Sequence, residues 1–114
     1  MRLMGGIMKK RLVLFAATVN ILLIAADLIE EAKKDFEMKK YALDPLKIWE
    51  CVEEEVINFK PEILIFLYPK EQEENRDILY EKIKKLIVFE DVYFLDAKVN
   101  LKIALDRIKD GLIK

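Results

Sequence analysis

The chain alternates between short, solidly apolar runs and longer stretches in which apolar residues recur at helical spacing. Ile63–Leu67 is the clearest run, an unbroken apolar segment held between Pro61 and Pro69. Apolar residues without alternation predict a strand covered on both faces, as in a parallel sheet. This segment therefore reads as the central strand. Leu12–Ala17 is a second run of the same kind. Met38–Leu43 is a short strand interrupted by Lys39 and Lys40, which places it near a sheet edge. Val92–Leu95 is the fourth, and its outer side should be open.

Helical patterns fill the gaps. From Asn20 to Phe36, Leu22, Ala25, Ala26, Ile29, Ala32 and Phe36 form one face. Ile21, Ile24 and Leu28 lie off that face, so the first half is apolar nearly all round and should be buried on more than one side. Glu30 and Lys34 are spaced to pair on the wet side. Asp44-Pro45 signals the next helix start, with Asp44 as cap and Pro45 where no hydrogen bond is lost. That helix runs to about Asn58 and includes Trp49 and the single cysteine, Cys51. A third spans Pro69–Leu86, acidic first and basic last, in the sense that complements the helix dipole. A fourth begins at a capping Asn100 and runs to Lys109, with Gly111 placed to stop it.

The order βαβαβαβα implies right-handed crossovers and a three-layer α/β/α domain around a mainly parallel four-stranded sheet, flavodoxin- or Rossmann-like. One domain over residues 1–114 is expected, with 1–8 as an appendage. Met8 before Lys9, Lys10 and Arg11 would serve as a natural start. The apolar stretch that follows resembles a signal peptide or anchor only loosely. Thr18 and Asn20 interrupt it, and a membrane span needs roughly 20 residues.

Composition narrows the chemistry. There is no serine and no histidine, one threonine, and only three glycines, Gly5, Gly6 and Gly111. Hydrolytic triads, imidazole metal sites, Walker loops and dinucleotide fingerprints therefore have no residues to build them. A single cysteine makes no internal disulfide and fits a reducing cytoplasm. A net charge of −1 gives no general attraction to nucleic acid or to an anionic membrane. No cofactor is expected. Scarce Asn, Gln and Cys beside abundant Glu and Lys is the habit of proteins from hot environments.

The strand at Arg11–Ala17, the segment Lys60-Pro61-Glu62-Ile63-Leu64-Ile65-Phe66-Leu67, and Val92-Tyr93-Phe94-Leu95-Asp96-Ala97 together resemble a response-regulator receiver domain. The resemblance covers most of residues 9–110. It implies a phosphoacceptor aspartate at the end of the third strand, where this chain has Leu67 or Tyr68. The acidic pair that holds magnesium would fall near Ala16, Ala17 and Thr18, and the receiver's Thr/Ser position on Asp96. No sequence remains for a fifth strand. A chain of this kind cannot undergo aspartyl phosphorylation, since an apolar side chain accepts no phosphoryl group.

In open α/β sheets, ligands sit beyond the carboxyl ends of the strands. Thr18, Asn20, Tyr68, Asp96 and Lys98 are the candidate ligand-binding residues there, with Asp44, Lys70 and Asn100 nearby. Asn20, Asp44 and Asn100 are equally suited to helix capping, and Lys70 and Lys98 to solvent. The Glu53-Glu54-Glu55 and Glu71–Glu74 clusters read as wet helix faces rather than metal sites, because successive helical residues diverge. Two functions stay open. The first is a non-catalytic interaction or assembly module, a homodimer using the open Val92–Leu95 edge, the last helix, or both. The alternative is a small-ligand sensor or enzyme working at the strand ends.

Overall fold

The computed structural model describes residues 9–42 and 44–113. Four strands form the sheet: β1 (Lys10–Ala16), β2 (Phe36–Tyr41), β3 (Ile63–Leu67) and β4 (Asp91–Leu95). All are parallel, in the order β2-β1-β3-β4. This is the doubly wound arrangement in which the chain reverses direction between β1 and β3. The two inner strands are the unbroken apolar runs, and their pleat explains why they must be. Leu12, Leu14, Ile63, Ile65 and Leu67 point to one face, where Ala25, Ile29, Leu101 and Leu105 cover them. Val13, Phe15, Leu64 and Phe66 point to the other, against Trp49, Val56, Leu79 and Ile83.

Two helices, α1 (Val19–Ile24) and α2 (Ala26–Ala32), lie with α5 (Lys98–Ile113) on the first face. On the second lie α3 (Pro45–Phe59) and α4 (Glu73–Lys84), α4 entered through a short 3₁₀ turn at Lys70–Gln72. Both outer strands mix polar and apolar positions, but differently. β2 carries Glu37, Lys39 and Lys40, whereas β4 has one charge, at Asp91.

A row of aromatic rings crosses the second face of the sheet. Tyr41 on β2, Phe15 on β1, Phe66 on β3 and Phe94 on β4 are register neighbours. Their centroids are 5.7, 5.2 and 5.6 Å apart, with neighbouring rings within 28° of parallel. Equal side-chain heights on adjacent parallel strands bring such rings together, and each pair adds to the burial of its own area. Trp49 meets Phe15 edge-on, and Tyr80 meets both Phe66 and Phe94 in the same way.

Several local expectations are corrected. The helix drawn from Asn20 to Phe36 is two helices with a bend at Ala25, and it ends at Ala32. Hydrogen bonding runs through the bend, since Ala25 N–H donates to Ile21 O and Ala25 O accepts from Ile29 N–H. Ala25 is fully buried, and the bend presses it onto the sheet while turning α2 so that Ile29 and Ala32 pack as well. The apolar first half is not buried on several sides. α1 has no fully buried residue, and Leu23 and Ile24 are 64% and 62% exposed. Phe36 opens β2 instead of closing a helix.

Glu30 pairs with Lys33, and Lys34 with Glu31, in place of a Glu30–Lys34 pair. Asp44 precedes α3 as expected, and Pro45 takes its first position. The Asp44 side chain makes no capping hydrogen bond, because its backbone is left-handed at φ 59°. Its carboxylate lies 3.6 Å from Lys47 instead. Lys60 ends α3 in the same left-handed conformation, at φ 55°. The last helix starts at Lys98, two residues before Asn100, and Gly111 lies within it. Residues 1–8 and Leu43 lie outside the described residues. Among those described, no helix is long and apolar enough to cross a membrane.

Phe66 is fully buried and touches both neighbours in the aromatic row. Phe66→Ala should therefore cost about 3–5 kcal/mol of unfolding free energy, read as a large drop in the urea midpoint. A loss below about 1 kcal/mol would place Phe66 outside the weight-bearing core.

Candidate functional site

The reversal of chain direction between β1 and β3 is where a doubly wound sheet normally opens a crevice. Here the ladder continues past it. Ala17 N–H donates to Leu67 O at 3.2 Å, and Tyr68 N–H donates to Leu95 O at 2.9 Å. Ala16, Ala17, Leu67 and Tyr68 are all buried, so side chains fill the place a ligand would take. Two methyl groups, an isobutyl group and a phenol thus occupy the carboxyl ends of the inner strands.

The five candidate residues do not converge on one site. Thr18 is the N-cap of α1, where its Oγ1 accepts from Ile21 N–H at 3.2 Å. Asn20 is exposed in the first turn of the same helix. Asp96 accepts a hydrogen bond from the Asn100 side-chain amide, tying the end of β4 to the first turn of α5. Lys98 Nζ lies 2.9 Å from Asp27 on α2, and that hydrogen bond holds the Asp27 carboxyl below its usual range. Tyr68 lies across the sheet, in the core beside Phe66.

Asp96 and Lys98 do share a hollow of about 120 Å³ between α1 and α5. Its other walls are Ile21, Ile24, Ala25, Leu67 and Ala97. A small apolar hollow whose polar groups are already paired has little to offer a polar ligand. A larger groove of about 480 Å³ opens at the opposite end, the amino ends of the strands, beside Pro61, Leu86, Val88 and Phe89. Nothing in the polarity pattern pointed there. Its apolar members belong to the loop between α4 and β4 and to the end of α3.

Among the described residues, Tyr68 holds the one buried side-chain polar atom without a partner. Its residue is 3% exposed, and its hydroxyl has no hydrogen-bond partner among the described residues. Burial, and secondarily the negative charge of Asp44, push its ionisation well above the ordinary tyrosine value. Neither of the two hollows is lined by it. The hydroxyl is a cost of filling the crevice, of the kind that a buried donor without a partner carries.

Tyr68→Phe should accordingly stabilise the protein by about 1 kcal/mol, seen as a higher denaturant midpoint. Destabilisation would mean that the hydroxyl is bonded in solution. The same residue sets a pH limit. Unfolded, Tyr68 loses its proton near the ordinary tyrosine value of about 10, while the folded chain retains it. The unfolded state then binds fewer protons, so stability present below about pH 10 is lost as pH rises further. Tyr68→Phe should flatten that decline.

A scan against protein-family models, a search of the curated proteins and a search of the solved structures each return no match to this chain.

Proposed function

We propose that this chain is a receiver-like assembly module that performs no phosphotransfer and works as a homodimer through the open edge of β4. The contrast between the two edges of the sheet carries this reading. An unpaired edge strand is a hazard that charged residues normally guard. β2 is guarded in that way. Lys39 bonds Glu55 at 3.1 Å, and the same carboxylate accepts from the Tyr41 hydroxyl at 2.8 Å. Among the described residues, β4 itself carries no charge beyond its first residue, and Phe94 on it remains 42% exposed.

Other apolar side chains stand near that edge or on the helices beside it. Val99 and Ile103 are exposed on α5, and Ile78 on α4. A continuous sheet across two copies would cover the edge and some of these together. The receiver-like part of the reading is supported by the strand order, and the lack of phosphotransfer by Ala16, Ala17 and Leu67 at the positions that chemistry would use. Thr18, Asp96 and Lys98 are already bonded within the chain, which weighs towards a partner surface and away from a ligand pocket.

Sedimentation equilibrium across a concentration series should show two chains per particle at micromolar concentration. Phe94→Lys should convert the particle to a monomer while leaving the circular dichroism unchanged, because a charge on the edge opposes pairing. A wild-type monomer at high micromolar concentration would overturn the proposal, as would a Phe94→Lys dimer as tight as the wild type.

A further inference from the structure

Resting on the dimer reading above, the geometry points to one particular pairing, with the two-fold axis at Phe94. The peptide groups of β4 establish which residues face outward. Leu95 O accepts from Tyr68 N–H, and Asp91 N–H donates to Glu62 O, so the odd-numbered residues of β4 bond inward to β3. In a parallel strand the backbone groups of alternate residues point to opposite sides. The N–H and C=O of Val92 and Phe94 therefore face the open side. They are not equally available. Val92 N–H already donates to the Asp91 carboxylate at 3.2 Å. Among the described residues, Phe94 is left as the one with both groups free to exchange with an identical strand.

The aromatic row supports the same axis. Tyr41, Phe15, Phe66 and Phe94 form a stack that stops at the β4 edge with the last ring partly exposed. Antiparallel pairing about a two-fold axis perpendicular to the sheet keeps each side chain on its own face. With the axis at Phe94, the two Phe94 residues form a hydrogen-bonded pair and their rings meet on the second face. The row then continues through the axis into the other copy. The occupant of this edge is thereby fixed by its own chemistry: another strand presenting an aromatic ring beside a free peptide pair, which a second copy supplies reciprocally.

One side chain stands in the way. The Arg76 guanidinium lies over the Phe94 ring at 4.9 Å from its centroid, and bonds Asp77 at 2.8 Å. Phe66 takes the inner side of that ring, so the cation occupies the place of the next ring in the row. Arg76 is thus a removable cap, displaced when the dimer forms. A cation over an exposed ring and an aromatic pair are of similar strength. Exchanging one for the other is nearly neutral, and the new peptide hydrogen bonds and covered apolar area decide the balance.

The pairing predicts its own cross-links. An axis at Phe94 places Tyr93 opposite Leu95 of the partner subunit, a close pair without hydrogen bonds between the two. In a Cys51→Ala background, an equimolar mixture of Tyr93→Cys and Leu95→Cys proteins should form a mixed disulfide that neither forms alone. Tyr93→Cys linking to itself would shift the axis to Tyr93 and overturn the inference while leaving the dimer standing. Absence of a dimer in the unsubstituted protein would instead overturn the underlying reading. Should either cysteine variant fail to fold, a mixed-label NMR sample of unsubstituted protein carries the same comparison. Contacts between Tyr93 and the partner's Leu95 support the axis, and contacts between the two Tyr93 residues exclude it. Arg76→Ala should tighten the dimer about two- to five-fold by removing the competing cap. A weaker dimer would show that Arg76 belongs to the interface and would overturn its role as a cap.

Discussion

Stacking of Phe15 on Phe66, at the centre of the sheet, is the contact on which the rest of the fold depends. It joins the two inner strands where the chain reverses direction, and it lies beneath both helices of the second face through Trp49 and Tyr80. Both rings are fully buried, as are the leucines and isoleucines on the opposite face of the same strands. Here the packing continues past the carboxyl ends of the inner strands, where Ala17 and Tyr68 are buried as well. Ala16, Ala17, Leu67 and Tyr68 close the sheet where related architectures commonly open a crevice. The same packing that makes the inner strands stable thus removes the usual place for a ligand.

On the proposed reading, function lies at the edges instead. β2 and β4 share the sheet but not the same treatment. Glu55 on α3 gathers Lys39 and the Tyr41 hydroxyl over β2, closing one end of the aromatic row with charge. At β4, an arginine held over Phe94 covers the ring but not the strand's peptide groups. Guanidinium over an exposed ring is a contact of about 0.5–1 kcal/mol, small enough to be exchanged. An edge with free peptide groups, few charges and a weakly held cover suits reversible assembly better than permanent protection.

Much of the architecture is legible in the chain. The run Ile63–Leu67 reads as a central strand because a short apolar run with β-branched and aromatic residues, held between two prolines, suits a strand buried on both faces. Pro45 marks the start of α3 because proline fits only there in a helix. Other features depend on tertiary contacts that spacing does not carry. The bend at Ala25 follows from pressing a small residue onto the sheet, and Asp44 fails as a cap because its backbone is left-handed. Thr18 caps α1 although Asn20 has the stronger intrinsic preference, since the helix starts at Val19, ahead of Asn20. The candidate residues at the strand ends were correctly placed in sequence. They scatter in space because the pleat sends Tyr68 to one face, while Asp96 and Lys98 line a hollow on the other. The aromatic row could not be read at all without the register that brings four separated residues side by side.

Amide hydrogen exchange at Phe94, followed by NMR across a dilution series, tests the central claim most directly. On this account the Phe94 amide is bonded to a second copy, so its protection should approach that of inner-strand amides and rise with protein concentration. Rapid exchange at every concentration, with β3 amides still protected, would show that the β4 edge faces water and would contradict the account.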